Sequence, residues 1–421
     1  MKKIVLSALT AATLGTVAVS ATTVYKDRNG NLFSTAGDGR VAVKVSDEVK
    51  EAPKKSSNAI FDRFHFKGDL RLRYESKETE YDDGTVTTDK QEYHNRYRLR
   101  LVSKIDLTDT LSFDAGMRSG FGNPTSGNQS FDNDADGADA RGLSDYWWQS
   151  LRVNIMNLTY KDGATTVKAG RHPYMIYRPI KSQLIWDNDI SLNGLSYNYK
   201  DSSKIINLGV NQPTFAERVN AKDDVNLFFA QYVQKMKLDG AKLNLGVGAY
   251  MYDGIKGNTA FYYPEKGGKK MGNTFVTDAQ GRSVYENDYH ILEGFAEYQL
   301  KDVLGKPVAL AAGVAYNMAA DDDNIGYDFA VKVGKAKKVG DWQVKYSYTY
   351  SPEDAVLGDH SDSDNFGGGV AAKGHAIRTK YKFGKNTYIA GTFFYNTLSE
   401  HKTGREEADY ERVQLDAILK F

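Results

Sequence analysis

The last nine residues of the chain alternate without a break. Val413, Leu415, Ala417, Leu419 and Phe421 take every second position, with Gln414, Asp416, Ile418 and Lys420 between them. Successive side chains of a strand point to opposite faces, so this segment has one apolar and one largely polar face. The same two-sided pattern returns along nearly the whole chain. Continuous hydrophobicity is too sparse for a buried core or for membrane helices, which need roughly 18 to 20 apolar residues in a row. A closed barrel standing in a bilayer, with water inside, needs that arrangement repeatedly. The pattern therefore specifies an all-β fold, a transmembrane antiparallel β-barrel.

The first segment reads as something else. Lys2 and Lys3 precede an apolar run from Ile4 to Val19, and Val19-Ser20-Ala21 offers a small-residue cleavage site. This predicts a secretory signal peptide over residues 1–21. Its removal leaves 400 residues with 53 basic and 54 acidic side chains. A near-neutral balance gives no case for a nucleic-acid partner. The chain has no cysteine, which excludes disulfides and thiolate chemistry. Its mean hydropathy of −0.54 suits strands that are half polar joined by long polar loops. The 28 tyrosines suit aromatic girdles at the two membrane–water interfaces. Residues 22–60 precede the regular pattern and read as a periplasmic N-terminal extension or small plug, leaving 61–421 for the barrel.

From Phe64 the alternation is clean. Phe64, Phe66, Gly68, Leu70, Leu72 and Tyr74 are expected to face lipid, and His65, Lys67, Asp69, Arg71, Arg73 and Glu75 to face inward. The next strand, 93–105, carries Tyr97, Leu99 and Leu101 outside and Arg96, Arg98 and Arg100 inside. Further candidate strands bring the count to sixteen. The connections between them alternate short and long, the signature of periplasmic turns and external loops. A sixteen-stranded barrel is wide enough for an aqueous channel. Within 151–160 the apolar phase changes from Leu151, Val153 and Ile155 to Met156, Leu158 and Tyr160, which suggests a bulge.

The segments FHFKGDLRLRYE at 64–75, RYRLRL at 96–101 and AGRH at 169–172, with the terminal Phe421, resemble the putative-porin family of Gram-negative bacteria and, more broadly, the general diffusion porins. The resemblance covers roughly residues 64–421. It implies a sixteen-stranded outer-membrane channel, usually trimeric, for ions and small hydrophilic solutes. In such porins the third long loop folds into the barrel, which here is 172–189. The terminal phenylalanine is expected to serve as the signal read by the barrel assembly machinery.

The basic cluster is the sharpest local feature. Inward positions have opposite parity on the first two strands, so facing pairs have odd sums. A sum of 169 sets Arg73 opposite Arg96, Arg71 opposite Arg98 and Asp69 opposite Arg100, and a sum of 167 shifts the partners by one rung. Like charges directly opposite are destabilising, so the patch needs solvent, counter-ions or acidic partners. One reading is a positive pore wall that attracts anions; the other is an ordinary wetted wall. The third long loop, with the strand residue that leads into it, adds Arg171, Arg178, Lys181, Asp187 and Asp189, charges of both signs suited to a field across a constriction, or to a plain exposed loop. Asp132, Asp134 and Asp136, followed by Gly137, match the first half of a calcium loop, but Leu143 stands where the bidentate glutamate belongs. A solvated acidic loop is the better reading, and no other cofactor is expected. Asp321–Asp323, Asp359, Asp362 and Asp364 extend the expectation of an acidic outer face.

No histidine spacing, nucleophile motif or phosphate-binding loop points to catalysis. The expected function is a passive outer-membrane porin, not an enzyme, with a substrate-selective channel or a hydrophobic-compound transporter carrying an N-terminal plug as alternatives.

Overall fold

The computed structural model describes residues 24–26, 28, 32–33, 38–39, 41–43, 61–81, 86–88, 94–120, 124–131, 151–213, 224–261 and 271–421. The chain divides into two compact units, Met1–Asp62 and Arg63–Phe421. The first contains a three-stranded antiparallel sheet of Val24–Lys26, Leu32–Phe33 and Val41–Val43. The signal-peptide reading lies outside the described residues.

The second unit is a closed barrel of sixteen long antiparallel strands. The first five are β1 (Phe64–Tyr81), β2 (His94–Asp106), β3 (Leu111–Ser119), β4 (Leu151–Asp162) and β5 (Thr165–Pro173). Then come β6 (Ser191–Lys200), β7 (Lys204–Pro213), β8 (Asn226–Leu238), β9 (Ala241–Asp253) and β10 (Tyr289–Val303). The last six are β11 (Lys306–Asn317), β12 (Ile325–Gly334), β13 (Trp342–Ser351), β14 (Ala372–Lys382), β15 (Thr387–Leu398) and β16 (Ala408–Lys420). Each pairs with its sequence neighbours, and β16 closes the ring on β1, with Asp416 opposite Arg73 and Leu419 opposite Leu70. Closure removes the free edges that hydrocarbon would not tolerate.

The outward face carries the alternating apolar set. Leu72 is 46% exposed, Leu415 54% and Val247 61%, side chains that only lipid can cover. The chain end completes this face. Phe421 exchanges backbone hydrogen bonds with Gly68 (2.7 and 3.1 Å), and a Cβ on Gly68 would lie 2.6 Å from the Phe421 ring. Glycine is needed there because a Cβ would also lie 2.7 Å from the Arg100 carbonyl oxygen, which cannot move aside as the ring can. The phase change in β4 is a bulge: Gly116 pairs with Ile155, the next residue, Met117, with Val153, and Asn154 is left over.

The interior departs from a uniformly wet lumen. Inward residues of β8, β9 and β10, including Leu227, Phe229, Tyr250, Tyr252, Tyr289 and Ile291, are 0–5% exposed. They pack with Trp186 and Ile190 of the loop after β5 and with Val356 and Leu357 of the loop after β13. An apolar core therefore sits inside the barrel, on one side.

Candidate functional site

The wall cluster has the register with sum 169. Asp69 faces Arg100, Arg71 faces Arg98 and Arg73 faces Arg96. The stacked guanidinium groups are held apart by carboxylates. Arg98 and Arg100 share Asp69 at 3.0 and 2.7 Å. Arg73 grips Asp416 of β16 through two hydrogen bonds of 2.7 and 2.9 Å. Glu75, with no exposed surface, accepts from Arg412 at 2.5 Å and Arg96 at 3.3 Å. Arg71 lies 3.8 Å from Asp416 and donates to Asn128. Of the partners that such a patch needs, the acidic ones are present: distant strands and loops bring carboxylates that the hairpin alone does not contain. Breaking such buried pairs costs about 3 to 5 kcal/mol each, whereas the intact pair adds little net stability.

The loop 174–190 crosses the lumen. Tyr177 Oη donates to Glu297 of β10 at 2.5 Å, the Tyr177 N–H donates to Gln231 of β8 at 2.8 Å, and Asn244 of β9 donates to Tyr177 Oη at 2.8 Å. Its tip, Pro179–Lys181, packs Ile180 against inward alanines 309 and 311 of β11 and Ala330 of β12. Small wall residues make room for that tip. Ile180 (φ 44°) and Lys181 (φ 59°) both take left-handed backbone, costly for a β-branched residue and held only because the site over-determines it. The Ile180 N–H donates to Glu297 at 3.2 Å.

The charged residues of this segment do different jobs. Arg178 turns back on its own loop, donating to the carbonyls of Ser182 (2.9 Å) and Trp186 (2.7 Å) and to Asn188 Oδ1 (2.6 Å). Arg171 stays on β5, donating to the Asn154 carbonyl and to Asn193 at 3.1 Å, with the odd parity of Val167 and Ala169, so it is not gathered into the wall cluster. Lys181 is exposed to the lumen. Burial and the like charges of Arg178, Lys420, Lys332 and Arg100 push its ammonium below the usual lysine range. Asp187 is 4% exposed and accepts from the Ser363 N–H at 3.1 Å. Burial, together with Asp189 and Asp362, raises its carboxyl well above the ordinary range. Burial acts on Asp189 too, but Arg98, Arg100 and Arg118 outweigh it and hold that carboxyl low. Asp189 ties the loop to the wall, 3.0 Å from Arg100 and 3.6 Å from Arg98.

A second loop also folds inward, which corrects the acidic outer face. In the loop 352–371, Asp359 and Asp362 are buried, and Asp364 reaches Arg73 at 3.2 Å and Arg412 at 2.9 Å. Asp362 pairs with Arg378 at 3.0 Å. The two inserted loops join where the Asp187 N–H donates to the His360 carbonyl at 2.8 Å. Sequence reasoning missed this loop and the inner apolar core. The available signal was that β8–β10 are apolar on both parities, as in Phe228-Phe229 and Ile291-Leu292.

Open space lies on the other side. A cavity of about 740 Å³ runs beside β1–β5 and the arm Asn188–Ser191. Its lining carries seven cationic side chains (Lys67, Arg100, Lys104, Arg118, Lys161, Lys168 and Lys420) and three carboxylates, Asp69, Asp114 and Asp189. The calcium-like Asp132, Asp134 and Asp136 lie outside the described residues. Among the described residues, no group of three or more His, Cys, Asp or Glu side chains is placed to hold a metal ion.

No curated protein sequence matches the chain. Solved structures resemble it in fold. Pseudomonas putida OprB at high pH has 14% identity and a TM-score of 0.53, covering 86% of this chain and 96% of that one. Salmonella typhi OmpF, in complex with daunomycin, has 13% identity and a TM-score of 0.48, covering 85% and 97%. An outer-membrane protein OmpT of Vibrio cholerae, in trimer form, has 10% identity and a TM-score of 0.44, covering 85% and 99%. A family model described as putative porin matches residues 76–283 and 284–421. With a closed sixteen-stranded wall, a lipid-facing apolar band and a charged lumen, this chain belongs to the putative-porin family and is an outer-membrane porin channel.

Proposed function

We propose that small hydrophilic solutes and ions diffuse through this porin down their gradients, without covalent chemistry, and that anions pass preferentially. The lining of the 740 Å³ cavity supports the sign: seven cations face three carboxylates. Of those acids, Asp69 and Asp189 are each engaged by Arg98 and Arg100, and Asp114 accepts from Thr159 at 2.6 Å. Charges lining a water-filled path act with little screening on an ion that passes within the Debye length of about 8 to 10 Å. The inner apolar residues argue against a path for hydrophobic compounds, since they are packed under the two loops and present no open surface.

The test is the zero-current potential of the purified protein in a planar bilayer under a KCl gradient. The chloride-selective sign is expected, with an ohmic single-channel current; a potassium-selective sign overturns the proposal. The homotrimer, and insertion by the barrel assembly machinery through the Phe421 strand, belong to the same reading. Light scattering in detergent that returns a monomer mass discards the trimer.

A further inference from the structure

Tyr388 of β15 has three lysines around its ring. Lys380 Nζ of β14 lies 4.4 Å from the ring centroid, and Lys382 Nζ of β14 and Lys420 Nζ of β16 each lie 5.4 Å away. No two of these ammonium groups are farther apart than about 11 Å, the sum of their distances to the ring. All four side chains share the inward parity of Phe394 and Asp416, and Lys382 pairs directly with Tyr388 across the sheet. Lys181, at the strained tip of the inserted loop, is within Coulombic reach of both Lys380 and Lys420.

None of these four lysines has an ion pair with a carboxylate among the described residues. The acid nearest to Lys380, Asp69, is already held by Arg98 and Arg100. This sets the cluster apart from the arginine wall, where every guanidinium finds an acidic or amide partner. A cation over an aromatic face gains about 0.5 to 1 kcal/mol at exposed sites, which helps to gather the ammonium groups but does not neutralise them. Three of the lysines stand on rigid strands, and the fourth is fixed by its loop. Lys420 also lines the 740 Å³ cavity, so the cluster borders the open path.

We infer that Lys380, Lys382 and Lys420, gathered around Tyr388, form a binding site for a compact multivalent oxyanion of the phosphate or sulfate class. The ammonium groups offer several donors to the acceptor oxygens of such an ion, even with Lys382 Nζ giving one to the Lys337 carbonyl at 2.8 Å, and the attraction grows with the ion's charge, so chloride is held far less. The inference rests on the anion preference proposed above. It adds that the lumen contains a saturable station for divalent anions near the turns that join β14 to β15.

The test is block of the single-channel chloride current by inorganic phosphate or sulfate added to KCl at pH 7.5. Wild-type current should fall saturably, with a smaller effect of monovalent acetate at the same concentration. The half-blocking concentration should rise at least about tenfold in Lys380→Gln/Lys420→Gln, and by a smaller factor in Tyr388→Leu. Lys104→Gln/Lys161→Gln removes the same number of charges from the lumen and should leave the half-blocking concentration within about twofold. Heat-modified gel mobility identifies folded barrels, so that only folded variants are compared. A chloride-selective wild-type channel that phosphate and sulfate fail to block overturns the site and leaves the proposed anion preference standing. A potassium-selective channel overturns both. Block that weakens equally in the two double variants shows only general lumen charge and also overturns the site.

Discussion

Asp187 and Asp189 stand two residues apart on one loop, and replacing each with the isosteric amide should have unlike effects. Asp189 borders the cavity and keeps its charge, because Arg98, Arg100 and Arg118 outweigh its burial. Asn at 189 retains an acceptor for Arg100 but raises the excess of cations around the cavity from four to five. A unit charge 4 Å from a passing ion in water is worth about 1 kcal/mol, roughly fivefold in an equilibrium constant, and less as salt screens it. Asp189→Asn should therefore raise the anion-to-cation permeability ratio by about two- to fivefold at low salt. Asp187 is buried and takes no part in the cavity lining, so Asp187→Asn should shift the ratio less than Asp189→Asn does. Burial, Asp189 and Asp362 raise this carboxyl, so it gains its charge at higher pH than an exposed acid and then lowers anion preference; Asp187→Asn should lack that pH-dependent step. The assay is the zero-current potential in a KCl gradient, measured as a function of pH. Equal shifts from both variants at pH 7, or a shift toward cations from Asp189→Asn, would refute the placement of the path.

Three other outcomes follow from the geometry. Arginine at Leu72 or Leu415 should destabilise the folded barrel by roughly 2 to 4 kcal/mol if near the bilayer midplane, read from urea unfolding in lipid vesicles. Equal tolerance of arginine there and at Thr166, which lines the open cavity, would contradict the assignment of faces. Gly68→Val should slow closure of the barrel, because its side chain would enter the space of the Phe421 ring, and overpacking of this kind costs typically 1 to 3 kcal/mol. Pairing it with Phe421→Ala should recover part of the loss on heat-modified gels. Asp359, buried against Tyr285 Oη at 2.5 Å, is pushed up to about 6 by burial. Its folded pKa exceeds the unfolded value near 3.9, so its linked stability is full below pH 4 and lost as pH rises to 6, about 3 kcal/mol in all. Asp359→Asn should flatten that slope in urea midpoints measured from pH 4 to 7.5.

The outer surface was legible in the sequence because lipid imposes one rule on every strand. A residue that faces hydrocarbon must be apolar whatever its neighbours are, so parity alone assigned Leu70, Leu99 and Leu415. The same alternation placed the inward arginines and revealed the β4 bulge through its change of phase. The inner surface obeys no such rule. Whether an inward tyrosine meets water or a folded-back loop depends on residues far along the chain. Arg73 finds Asp416 across 343 positions and Asp364 across 291, and no local pattern carries that information. The loop after β13 misled for the same reason. Its many acids resemble a solvated tip, yet Arg73, Arg378 and Arg412 give them buried partners.

The placement of the two inserted loops follows from the chemistry of the wall. Apolar loop segments such as Ile185-Trp186 and Val356-Leu357 gain by covering Leu227, Phe229 and Tyr250, where each buried CH₂ contributes about 0.8 kcal/mol. Laid instead over β1–β3, they would strip water from guanidinium and ammonium groups without supplying acids, at several kcal/mol per charge. Where a loop does approach that side, it does so through Asp189 and Asp364, which meet the arginines as ion pairs. The lumen therefore separates into a packed half beside β8–β11 and an open half beside β1–β5. On the path proposed above, solutes would travel along the charged wall, and electrostatics, more than pore diameter, would be the main lever on conduction.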